Sequence, residues 1–209
     1  MIIPKEERLN VFTHAMGIVL SVMGTAHFFY NQSYSEPRIF LALIVYCFSL
    51  IFLFSSSTIY HSVSGDKKLF WRKIDHIAIL FLIAGSYTPV TLTVLYESSG
   101  ILIFKGVWCI VFFGTIFKIF YTGRFEKISL LMYLGMGWLV ILDIDSVINS
   151  FTSLALIYLV LGGFFYTTGV YFYSNKTIKE THAIWHVFVL FGALFHFLMI
   201  NEILRVYTN

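Results

Sequence analysis

Seven apolar stretches separated by short polar breaks leave this chain few ways to fold. They cover residues 11–30, 39–60, 74–95, 101–117, 128–144, 151–173 and 183–206. A helix of roughly 20 residues crosses the hydrocarbon core of a bilayer. Hydrocarbon offers backbone N–H and C=O groups no partner, so a spanning segment must satisfy them internally, as a helix does. The pattern predicts an all-α integral membrane protein, a seven-transmembrane helix bundle forming a single domain over residues 1–209. The fourth stretch is crowded by Lys105 and Lys118 and the fifth by Asp143 and Asp145; lysines at span ends reach the interface by snorkelling.

Composition excludes the alternatives. Hydrophobic residues make up 58% of the chain and charged residues 12%, with a mean hydropathy of +0.83, outside the range of soluble domains. A net charge of +3 dispersed between spans argues against nucleic acid as a partner. Cys47 and Cys109 lie in apolar runs without a CxxC motif and are expected to be buried thiols. The first apolar run has no A-x-A cleavage site and is expected to be retained as a span. Localisation follows as multi-pass in the plasma or inner membrane.

Basic residues set the expected orientation. Lys5, Arg8, Lys67, Lys68, Arg72, Lys73, Lys118, Arg124, Lys127, Lys176 and Lys179 fall on one side, and Arg38, Lys105 and Arg205 on the other. The N-terminus is therefore expected in the cytoplasm and the C-terminus outside.

With depth assigned, polar residues from distant segments meet. His182 and His186 stand four residues apart at the head of the seventh span, so both imidazoles share one helix face. His61 closes the second span and Asp75 opens the third, both on the same side. Zinc takes nitrogen ligands at about 2.0–2.1 Å, and a catalytic site commonly has three protein ligands and a water. His61, His182 and His186 supply the three. Asp75 is suited to bind that water as general base or to stabilise the metal's charge from behind its ligands, and Ser57, one turn before His61, to bond the water or a carbonyl. His76 points about 100° from Asp75 and is expected to pack against a neighbouring helix. His14 is a candidate supporting group; His27 and His196 are expected to hydrogen-bond inside the bundle, and Asp143, Asp145 and Glu202 to be solvated at the far interface. Gly17, Ser21, Gly162, Gly163 and Gly192 mark close helix packing. Pro89 is expected to kink the third helix, with Ser86 and Thr88 bonding the freed carbonyls.

The pattern Ser57-xxx-His61, Asp75, His182-xxx-His186, together with Glu6-Glu7-Arg8-Leu9-Asn10-Val11-Phe12-Thr13-His14, resembles the progestin and adipoQ receptor (PAQR) family, and its bacterial hemolysin III branch in particular, within the CREST superfamily. The resemblance implies a seven-helix bundle with an intramembrane Zn2+ near the cytoplasmic face, liganded by His61, His182 and His186, with Asp75 and Ser57 beside its water. The function expected is zinc-dependent hydrolysis of an amide or ester of a membrane lipid, in the manner of a ceramidase. Two other readings stand beside it: a non-enzymatic sensor of membrane lipid state with structural zinc, and a hemolysin-type channel. The channel requires a continuous polar path, whereas the outer halves of the spans offer only scattered groups such as His27 and His196.

Overall fold

The computed structural model describes residues 3–31, 36–175 and 180–207. Seven helices are long and apolar enough to cross a membrane, and no strand occurs among the described residues. A 3-10 turn at Lys5–Glu7 leads into α1 (Arg8–Asn31); α2 (Pro37–Ser62), α3 (Asp66–Thr91) and α4 (Gly100–Tyr121) follow. The fifth span comprises α5 (Glu126–Gly137), a 3-10 segment (Trp138–Asp143) and α6 (Ile144–Ser150); α7 (Ser153–Ser174) and α8 (Thr181–Tyr207) complete the bundle. Lys176 and Lys179, used above for orientation, lie outside the described residues.

The third helix begins two turns before its expected start. It packs against α2, α4, α5 and α8 and is the most enclosed of the spans. Polarity records contact with lipid rather than membership of a helix, so Asp66, Lys67, Lys68, Arg72 and Lys73 belong to α3 although apolarity begins only at Ile74. Gly65, at φ +63°, supplies the left-handed turn that returns the chain from α2 into α3.

Pro89 does not kink this helix mid-span. It occupies the last turn of α3, which ends two residues later, so the backbone bond it forgoes, to the Gly85 carbonyl, is among the last of the helix. Ser86 and Thr88 donate to the carbonyls of Ile83 and Ala84 at 2.8 and 2.7 Å. The irregularity lies instead in the fifth span, whose 3-10 segment is clamped by Tyr87: its hydroxyl donates to the Gly137 carbonyl at 2.7 Å and accepts from the Val140 N–H at 2.9 Å.

Several polar positions also depart from expectation. Lys118 is not a snorkelling residue but is fully buried. Glu202 is buried and paired with Arg205 at 2.9 Å and Thr152 at 3.2 Å. Asp143 accepts from the Ser99 hydroxyl at 2.5 Å, at the start of α4. His27 bonds Asn201 at 2.9 Å from an exposed position, while His196 packs edge-on to Tyr166 with its Nε2 lacking a partner among the described residues. Cys47 is buried, whereas Cys109 lies on the exposed surface of the bundle.

Gly17, Gly162 and Gly192 lie directly beneath the rings of Phe54, His196 and Tyr166, whereas Gly163 faces open space. The tightest approach outside that set is Gly85 of α3 against Ser49 of α2. Gly85→Ala is expected to lower stability by about 1–3 kcal/mol through overpacking. Gly163→Ala is expected to be neutral or to stabilise by up to about 1 kcal/mol. Unfolding of the two detergent-solubilised variants tests this, and equal midpoints would contradict the packing assigned to Gly85.

Candidate metal centre

The end of α2 and the start of α8 lie at the same end of the bundle, and their histidines meet there. His61 is the penultimate residue of α2, and His182 and His186 occupy the first two turns of α8. Ligand-capable atoms of the three lie within 4.8 Å of one another. Their ring centroids form a nearly equilateral triangle with sides of 5.0, 4.9 and 4.7 Å. The Nε2 atoms of His61 and His182 are 3.2 Å apart. Two nitrogens at zinc bond lengths and a tetrahedral angle would stand about 3.3–3.4 Å apart, so the observed edge suits that ion.

Outer partners orient the rings. His61 Nδ1 is 2.6 Å from Glu7 Oε2, and a carboxylate oxygen accepts, so Nδ1 carries the hydrogen and Nε2 keeps its lone pair. His186 Nδ1 is 3.3 Å from the Asn10 carbonyl, which can likewise only accept, and its Nε2 is left as the electron-pair donor. Thr13 Oγ1 lies 3.3 Å from the same Nδ1. Carboxylate or carbonyl groups behind ligand histidines fix their tautomer and raise their basicity. The donor set and its hydrogen bonding therefore fit a divalent cation such as Zn2+.

Glu7 stands at the site although it is not among the site residues expected from the sequence. Its other oxygen, Oε1, accepts from Lys68 at 2.5 Å, and Asn10 donates to Oε2 at 2.8 Å. The overlooked signal is helical spacing: Glu7, Asn10 and His14 fall at i, i+3 and i+7, one face of the helical run that the 3-10 turn and α1 form together. That face meets the site: His14 stacks on His186 with ring centroids 3.6 Å apart.

Asp75 and Ser57 are together but are not part of the imidazole triangle. Asp75, from α3, faces Ser57, whose hydroxyl is placed to bond the carboxylate; both are buried. Ser57 is one turn deeper in α2 than His61, so the pair lies beneath the triangle rather than level with it. His76, the next residue, faces the other way. Its Nδ1 accepts from buried Lys118 at 2.9 Å. Lys118 also donates to Ser129 at 2.5 Å and lies 5.5 Å from the Tyr133 ring centre, while Tyr133 OH bonds the His76 carbonyl at 2.9 Å. This knot ties α3, α4 and α5 together and holds the helix that carries Asp75.

A cleft of about 300 Å³, lined by Glu6, Glu7, Asn10, Tyr60, His61 and His182, opens beside the triangle at this end of the bundle. It gives water a polar approach to His61 and His182.

A sequence profile described as haemolysin-III related matches residues 3–197. The chain is 37% identical over 191 residues to Hemolysin-3 homolog of Bacillus subtilis (strain 168), covering 90% of each. It is 37% identical over 196 residues to Hemolysin-3 of Bacillus cereus, covering 92% of this chain and 89% of that one. Monocyte to macrophage differentiation factor of Homo sapiens is 32% identical over 203 residues, or 92% of this chain and 82% of its own.

Glu7→Gln removes the carboxylate behind His61 while keeping its shape. It is expected to weaken Zn2+ affinity by about 10–100-fold, measured by competition against a chelating dye. Unchanged affinity would mean that Glu7 serves only to anchor Lys68.

Proposed function

Because the chain belongs to the haemolysin-III related family and is a multi-pass protein of the cell membrane, we propose that His61, His182 and His186 hold Zn2+ for hydrolysis of an amide or ester bond in a membrane lipid. The observation that carries this reading is the convergence of three imidazoles, two of them held with Nε2 free to ligate, beside a buried carboxylate paired with a serine. The N-terminus lies in the cytoplasm, as the distribution of Lys and Arg favours.

The chemistry divides between the ion and the chain. When bound, Zn2+ supplies Lewis acidity, bringing the pKa of a water toward 7 and polarising a carbonyl. Asp75 is the general base: it accepts the proton as the water oxygen bonds to the carbonyl carbon and the π pair moves onto the carbonyl oxygen. As that pair returns, the C–N or C–O bond breaks, and Asp75 delivers the proton to the departing amine or alkoxide. Ser57 holds the carboxylate in one rotamer for both transfers. The cleft at Glu6, Tyr60 and His182 admits water, and the surrounding apolar helices accept the lipid tail.

His61→Ala, His182→Ala and His186→Ala are each expected to abolish stoichiometric zinc in the purified protein. Asp75→Asn is expected to keep the metal and lose about 100-fold or more of turnover, read as the disappearance of the lipid differences between cells expressing and lacking the protein. Wild-type protein without zinc, or metal content indifferent to all three histidine changes, would refute the site. A lipid profile unaltered by Asp75→Asn, with metal retained, would instead favour structural zinc in a non-enzymatic lipid sensor.

A further inference from the structure

His14 is buried, with a relative exposure of 3%, and neither of its ring nitrogens has a hydrogen-bond partner among the described residues. A neutral imidazole carries one donor and one acceptor, and leaving either unpaired out of water costs about 1–3 kcal/mol. Its neighbours contrast with it. His61 is held by Glu7, His186 by Asn10 and Thr13, and His76 by Lys118. His196 also has an unpaired Nε2, but it stands ten residues from His186 along α8, about 15 Å. His14 is different because its ring lies flat against a member of the triangle, 3.6 Å between centroids and tilted by 32°.

Packing fixes this ring in place. The edge of Phe54 meets it at 5.3 Å, and Phe54 itself is seated over Gly17, one turn along α1. The imidazole is therefore clamped between His186 and Phe54 with its polar atoms unspent. A ring packed for apolar contact alone would be served better by Phe, which brings no polar atoms to bury.

Resting on the hydrolase reading above, we infer that His14 is a catalytic residue whose ring N–H receives the carbonyl oxygen of the substrate's acyl group. As the water oxygen bonds to the carbonyl carbon, the π pair collects on that oxygen. The N–H of His14 donates to it more strongly as the charge grows and keeps its own proton throughout. A fixed neutral donor aimed where charge develops favours the charged state over the ground state.

The test uses the full chain in detergent, loaded with Co2+ as a visible reporter, and two probes: octanohydroxamate, which presents a carbonyl oxygen and a short tail, and azide, which has no carbonyl. His14→Phe is expected to retain Co2+ stoichiometry and azide affinity while losing about tenfold or more in hydroxamate affinity. His14→Asn, which restores an N–H donor, is expected to recover part of the loss. Hydroxamate affinity unchanged in His14→Phe overturns the assignment, as does an equal fall for both probes, which would make His14 a shaper of the metal's open position. Loss of Co2+ from both variants would make it a scaffold for His186 and likewise overturn it. Wild-type protein that binds no Co2+ overturns the hydrolase reading, and this one with it.

Discussion

Hydrocarbon gives a polar group nothing to bond to, and the organisation of this molecule answers to that constraint. Seven helices satisfy their own backbones, and where the fifth departs from regular geometry, Tyr87 supplies the missing donor and acceptor. Side chains obey the same rule at greater expense. Glu7, Lys68, His61, His182, His186, Asn10 and Thr13 form one connected network in which four helices meet. Lys118, His76, Ser129 and Tyr133 form a second. Such networks cost desolvation and return it only when fully paired.

The two networks divide the labour. The first gathers electron-pair donors and fixes their tautomers from behind, the requirement for binding a cation rather than merely burying histidine. The second lies on the other side of α3 and holds that helix against α4 and α5, so that Asp75 is presented to Ser57 beneath the triangle. Lys118 thus contributes to the site without facing it. Its burial in an otherwise apolar span is consistent with the general expense of intramembrane charge, offset here by two hydrogen bonds and an aromatic face.

Most of the fold was legible in the chain because the bilayer imposes one length and one polarity on every span. The errors fell where polarity and burial part company. α3 is longer than its apolar run because its first two turns are polar and largely exposed, and helix formation does not stop where apolarity does; Lys118 is expected at the interface because snorkelling is the commoner fate of a lysine near a span end. Cys109 is expected to be buried from its apolar neighbours, yet it shares the outward face of α4 with Leu102, Phe112 and Phe113. Periodicity measures how apolar a face is, and lipid and protein interior look alike on that scale.

The site divides in the same way. His182 and His186 share a helix face by spacing alone, and topology places His61 at their end of the bundle; these follow from sequence because helix period and span number are local properties. That Glu7 stands behind His61, that His14 stacks on His186 with its nitrogens unspent, and that Asp75 turns toward Ser57 depend on the rotation of each helix about its axis. Rotation is set by side chains meeting across helices, such as Gly85 on Ser49 and Phe54 over Gly17. Only the packed bundle determines it.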